Sequence, residues 1–273
     1  MRKAPSLLFA IAFSALLAGC GGGASPAPPS PLAPSEITPP VTTDLPQATT
    51  ASQVIWRAGD PTLGRWGIAS TYQCGAPQKS SSAFSFTLDR NGTRCGRNQA
   101  NPLTPSGSLV QLTPGATYTW TFTYHDTAIS GRGPGMGRDT DARSLIWQIH
   151  GLNERDTPCT SLNFVNGPAN TGGPQMWGLM TCAGLVWTGS YRSGETDTFK
   201  IVARISNTSS GFTQLYRNGV LVKSISGANY HNSYGNPWWN FGPYKWRWEI
   251  AGGGGSSMYQ VNATIANMTL VKN

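Results

Sequence analysis

The chain is 273 residues long, with 12% charged and 10% aromatic residues, 33 glycines and 20 prolines. No stretch keeps an apolar period of 3.6 over three turns, so this composition excludes a helical bundle and points to strands and turns. Formal net charge is +8, which favours an anionic partner, but the basic residues are dispersed and no nucleic-acid motif accompanies them, so nucleic acid is not expected as that partner.

Residues 1–20 read as a targeting segment, with Arg2 and Lys3 ahead of an apolar run from Leu7 to Leu17 that is too short to span a membrane. The run ends in Leu17-Ala18-Gly19-Cys20, which resembles the lipobox of bacterial lipoproteins, with Cys20 as the lipidated residue. Gly21 after the cysteine implies, by the same resemblance, sorting to the outer membrane, facing the periplasm or the outside. Residues 21–50 are rich in Pro, Ser, Ala and Thr and form a semi-extended linker. The folded domain is then 51–273, attached to a membrane only through its lipid anchor and expected to be monomeric. Without Arg2 and Lys3 the 20 basic residues become 18 against 12 acidic ones, still a net excess of six.

Cys74, Cys95, Cys159 and Cys182 remain, an even number in a chain expected in an oxidising compartment. Four cysteines allow three pairings, among which the sequence does not choose; the preferred one joins the sequence-local partners, Cys74 with Cys95 and Cys159 with Cys182, and closes one loop each. Neither pair has the two-residue spacing of structural zinc ligands.

Period-two segments recur along the domain: Phe84 to Leu88, Tyr118 to Tyr124, Leu145 to His150, Phe199 to Ile205, Phe212 to Tyr216 and Val220 to Ile225. The clearest, Tyr118-Thr119-Trp120-Thr121-Phe122-Thr123-Tyr124, puts four aromatics on one face and three threonines on the other. Asn218-Gly219 between the last two is a hairpin signal. About 220 residues of short strands separated by Gly- and Pro-containing loops predict one all-β domain, a jelly-roll sandwich of two antiparallel sheets with a concave binding groove; a barrel is the alternative.

Gly131 to Gly137 is Gly-rich but lacks the Lys-Ser/Thr ending of a phosphate loop. Asp139 and Asp141 cap a turn or bind a structural calcium; no other metal and no cofactor is implied. In Ser144-Leu145-Ile146-Trp147-Gln148-Ile149-His150, alternation places Leu145, Trp147 and Ile149 on one face and Ile146, Gln148 and His150 on the other. In Trp238 to Trp248, aromatics that stack on sugar rings are interleaved with Lys245 and Arg247, cations that meet carboxylates. Gly252 to Gly255 is a flexible connection.

Together these segments resemble polysaccharide lyases of the alginate lyase type and their heparin-lyase-I-like and glucuronan-lyase-like relatives. Gln148-Ile149-His150 matches a Gln-Ile/Val-His strand, and Trp238-Trp239-Asn240-Phe241-Gly242-Pro243-Tyr244 matches a late Tyr-Phe-Lys-x-Gly-x-Tyr strand, with the Asn-Gly hairpin between them. An early Arg-x-Glu is matched only by Arg97-Asn98-Gln99, and Asn240 stands where that pattern has Lys. The resemblance implies β-elimination on an anionic, uronate-containing polysaccharide. Arg97 and Gln148 are then the candidates that neutralise the uronate carboxylate. Tyr244 is the acid, and a candidate base given cationic neighbours from Arg97, Lys245 or Arg247; His150 is the base or a carboxylate-side donor. Trp238, Asn240, Lys245 and Arg247 are the substrate-binding candidates.

A glycoside hydrolase needs two carboxylates across the scissile bond, and nothing like the Glu-x-Asp-x-x-Glu strand of laminarinase-type enzymes occurs among the 12 acidic residues. A non-catalytic, lectin-like carbohydrate-binding lipoprotein remains the alternative reading.

Overall fold

The computed structural model of the chain describes residues 51–68, 75–89, 97–130, 144–151, 158–166, 175–192, 194–231, 235–244 and 260–273. In those residues every regular element is a strand: β1 (Gln53–Arg57), β2 (Trp66–Ile68), β3 (Gln78–Ser80), β4 (Ala83–Asp89), β5 (Ala100–Pro102), β6 (Thr117–Ser130), β7 (Ser144–His150), β8 (Thr160–Asn166), β9 (Gln175–Thr181), β10 (Gly184–Ser190), β11 (Thr196–Arg204), β12 (Phe212–Arg217), β13 (Val220–Ser226), β14 (Trp238–Tyr244) and β15 (Gln260–Lys272). They form two antiparallel sheets. One runs β13-β12-β11-β6-β15-β4-β3, with β1 also on β15; the other runs β10-β9-β8-β7-β14-β5-β2. Sequence neighbours such as β14 and β15 lie in different sheets, as in a jelly roll.

Alternation explains the core. Tyr118, Trp120, Phe122 and Tyr124 of β6 are all buried, and their threonine neighbours face the other way, as the sequence pattern predicts. Burial first, and then the nearby Asp126 carboxylate, push the phenol of Tyr124 well above its usual range, so it stays a neutral core residue. The Asn218-Gly219 turn closes β12 onto β13 with Arg217 opposite Val220. Both turn residues have positive φ, 51° and 83°, the two-residue geometry that asparagine and glycine accommodate.

The sheets meet through aromatic rings. Trp120 of β6 packs edge-on against Trp147 of β7 at 5.1 Å and against Trp239 of β14 at 6.1 Å. Phe241 of β14 packs edge-on against Phe84 and Phe86 of β4 at 5.1 and 5.9 Å. Each such pair contributes about 0.5–1.5 kcal/mol beyond the area it buries. Their structural consequence is that β7 and β14 are anchored from below by large inward rings, so the residues between those rings are held on the sheet's opposite, outer face.

Candidate functional site

The outer face is set by the pairing of β7 with β14. Trp238 lies opposite His150, Trp239 opposite Ile149, Asn240 opposite Gln148 and Phe241 opposite Trp147. Since Trp147, Ile149, Trp239 and Phe241 belong to the core, Gln148, His150, Trp238 and Asn240 must share the other face. The expected common face of Gln148 and His150 is therefore present.

The same expectation is wrong one turn of the pleat earlier. Register shifts between Leu145 and Trp147 against β8, and between Phe241 and Tyr244 against β7. Against β8 residue 146 is the extra one, whereas against β7 the extra residue lies in β14 between Phe241 and Tyr244; a bulge of one residue reverses the alternation beyond it. Ile146 consequently enters the core, while Leu145 pairs with Asn163 on one side and Tyr244 on the other, and stays outside the core cluster. Tyr244, the cross-strand partner of Leu145, thereby lies on the Gln148 face.

Arg97 joins this face through an isolated bridge to Tyr244. Its guanidinium carbon lies 4.0 Å from the centroid of the Tyr244 ring, a cation over an aromatic face. The approach depends on Gly242, whose φ is +108°. A Cβ there would sit 2.5 Å from the carbonyl oxygen of Asn98, so only glycine lets β14 come this close. The Asn98 amide donates to the Pro243 carbonyl at 3.0 Å and ties the two segments together.

Between the Tyr244 end and the His150 end lies a floor of carboxamides and small polar groups: Gln99, Asn240, Gln148, Ser161 and Asn163, all buried. The Gln99 side-chain amide donates to Gly242 O at 3.1 Å and to Asn240 Oδ1 at 3.3 Å. A backbone carbonyl can only accept, so Gly242 fixes which end of Gln99 is NH2, and that in turn fixes the orientation of Asn240. Asn240 Nδ2 and Gln148 Oε1 have no hydrogen-bond partner among the described residues. A buried polar atom left this way costs about 1–3 kcal/mol, which a ligand group can recover. The two positions that depart from the lyase pattern, Gln99 and Asn240, are thus bonded to each other. A neutral amide pair occupies the place where that pattern has Glu and Lys.

At the other end, His150 Nδ1 lies 2.7 Å from Gly151 O. Because the carbonyl accepts, Nδ1 carries the hydrogen, and in the neutral ring Nε2 carries the lone pair. Trp238 stacks on the imidazole with centroids 5.1 Å apart and planes 27° apart, and its Nε1 donates to the same carbonyl at 3.1 Å.

Of the residues expected from sequence, Arg97, Gln148, His150, Tyr244, Asn240 and Trp238 come together on this face. Lys245, Arg247, Cys20, Cys74, Cys95, Asp139, Asp141 and the glycine-rich run 131–137 lie outside the described residues. Cys159 and Cys182 form the expected disulfide, joining the entry of β8 to the β9–β10 turn. Their sulfurs and a ring nitrogen of His231 fall within 4.8 Å of one another, but the sulfurs are already bonded to each other. Ser161 and Asn163 were not singled out from sequence, although they alternate with the buried Leu162 and Phe164 and so carry the period-two signal.

No family model matches the chain, and no curated protein does. Among solved structures it is similar to the endo-β-1,4-glucuronan lyase of the fungus Trichoderma reesei, at 10% identity over 84% of this chain and 91% of that one, with a TM-score of 0.49. An alginate lyase of Pseudomonas aeruginosa is similar at 14% identity over 74% and 88% of the two chains, with a TM-score of 0.48. The alginate lyase of a Corynebacterium species follows at 16% identity, 74% and 82% coverage and a TM-score of 0.44.

Proposed function

We propose that this chain is a polysaccharide lyase that cleaves an acidic, uronate-containing polysaccharide by β-elimination. The observation that carries the reading is the shared outer face of Arg97, Gln148, His150 and Tyr244, four residues drawn from three separate parts of the sequence. Arg97 and the Gln148 amide neutralise the uronate carboxylate and so acidify the C5 proton. His150 removes that proton through Nε2, the nitrogen that its bond to Gly151 leaves with the lone pair. The C5 electrons form the C4–C5 double bond as the C4–oxygen bond breaks, and Tyr244 protonates the departing glycosidic oxygen. Arg97, over the Tyr244 ring, is a cationic neighbour that stabilises the phenolate left by that transfer.

Asn240, Lys245 and Arg247 complete the substrate contacts in this reading. We further place the protein at the cell envelope, with 1–20 as a lipoprotein leader, Cys20 as its anchor, 21–50 as a tether and 51–273 as a monomeric catalytic domain without a cofactor. One observation favours a second reading, a binding protein that holds sugar without cleaving it: the Gln99–Asn240 amide pair leaves the floor neutral where the lyase pattern is charged. Turnover of Tyr244→Phe and His150→Ala separates the two. Loss of about 10²–10⁴-fold in product formation, with retention on a substrate gel intact, supports the lyase; full activity in either variant removes that residue from the mechanism.

A further inference from the structure

The sequence reading casts Trp238 as a platform for a sugar ring. Its surroundings describe a different task. Trp238 is only 7% exposed, and one face of the indole is occupied by the His150 ring, 5.1 Å away and tilted by 27°. Its single hydrogen-bond donor, Nε1, is spent on the Gly151 carbonyl at 3.1 Å, the same oxygen that accepts from His150 Nδ1 at 2.7 Å. A carbonyl has two lone pairs, so the indole and the imidazole fill it together. Strand register supports the arrangement, since Trp238 and His150 are direct cross-strand partners.

We infer that Trp238 is a positioning residue that fixes the orientation and tautomer of His150 and does not serve as a sugar platform. Two effects combine. The stacked indole blocks rotation of the imidazole about its Cβ–Cγ bond, which would exchange the places of carbon and nitrogen around the ring. The Nε1 bond holds the Gly151 carbonyl in the direction that Nδ1–H needs, so the proton resides on Nδ1 and the lone pair on Nε2. A ring face that carries an indole is also prepared for positive charge, because the indole π-face attracts an imidazolium once Nε2 has taken up a proton. The catalytic meaning of this inference rests on the lyase reading, whereas its structural meaning does not.

The test uses the full chain labelled with ¹⁵N, the His150 ring signals being assigned by their absence in His150→Ala. Long-range ¹H–¹⁵N correlation should show a protonated Nδ1 and an unprotonated Nε2 in the unaltered protein. Trp238→Phe keeps a stacked ring and removes the N–H donor; Trp238→Ala removes both. The ring signals should move toward a mixture of tautomers in Trp238→Phe and further in Trp238→Ala. Product formation should fall about 10- to 100-fold in kcat, with KM changed less than about threefold. If Trp238→Ala does not fold, Trp238→Phe alone decides. An unchanged tautomer in the folded variants overturns the inference. So does a rise in KM at constant kcat, which is the signature of a sugar platform. Absence of turnover in the unaltered protein would count against the lyase reading alone, and the tautomer measurement would still decide the role of Trp238.

Discussion

Two buried polar regions of this molecule are built on opposite plans. Between the sheets, Asp197 of β11 accepts from Trp177 Nε1 at 2.7 Å, from Arg217 at 2.7 and 2.8 Å, and from Asn218 at 3.0 Å, so both carboxylate oxygens are doubly bonded. Asp126 nearby in sequence to β6's end is held likewise, by the Tyr191 hydroxyl and by the Gly194 amide at 2.8 Å. On the outer face, Asn240 Nδ2 and Gln148 Oε1 have no hydrogen-bond partner among the described residues. In the first region the carboxylates are fully hydrogen-bonded within the fold; in the second a donor and an acceptor are left over. Burial does not distinguish these two clusters and their hydrogen bonding does, although core indoles such as Trp120, Trp147 and Trp239 also lack a partner for Nε1 among the described residues.

The largest expected effect falls on the closed region. Asp197→Ala leaves the Arg217 guanidinium and the Trp177 N–H without their acceptor, and should cost about 3–5 kcal/mol in denaturant unfolding. A loss below about 1 kcal/mol would break the comparison, since the network would then be dispensable to the fold. Next comes the covalent link. Replacing Cys159 and Cys182 together by Ser opens a loop of 23 residues, and unfolding free energy should fall by about 3 kcal/mol with little change in turnover.

The amide pair gives a smaller, coupled effect. Gln99→Glu and Asn240→Lys each bury a charge beside a neutral amide and should each destabilise the protein, whereas the double variant restores an ion pair. A double-mutant cycle should show about 1–2 kcal/mol of favourable coupling; additivity would mean that the two introduced charges do not meet, and that positions 99 and 240 are not the neighbours described. Smallest of all in stability, and most pointed for the comparison, is Gln148→Met. Its Oε1 has no bond to lose, so unfolding should change by less than about 1 kcal/mol, while turnover should fall by at least about 10²-fold. A variant as unstable as Asp197→Ala would instead place Gln148 among the structural polar groups.

The parts of this design that are legible in the sequence are those that obey strict alternation. The aromatic face of Tyr118 to Tyr124, the strands from Phe199 to Tyr216 and the Asn218-Gly219 hairpin all follow from period two and from which residues tolerate positive φ. The Gln148 and His150 face follows in the same way. Alternation is a statement of parity, however, and the single extra residue at Ile146 reverses it, so the exchange of Leu145 and Ile146 between faces is invisible without the neighbouring strands. Nor does parity reveal a contact between Gln99 and Asn240, which are 141 residues apart. Each reads as an isolated departure from a motif until the sheet brings them together. The task of Trp238 is hidden for a related reason: an indole looks like a sugar platform until the carbonyl it shares with His150 is in view.

The most direct test of the central claim is to incubate the full chain with alginate, glucuronan, heparin-type and pectic polymers while following the ultraviolet absorbance of newly formed unsaturated ends. A steady rise is expected on one of these polymers, and it disappears in Tyr244→Phe. No rise on any of them, with one polymer still retained by the protein, would contradict elimination and leave a carbohydrate-binding protein.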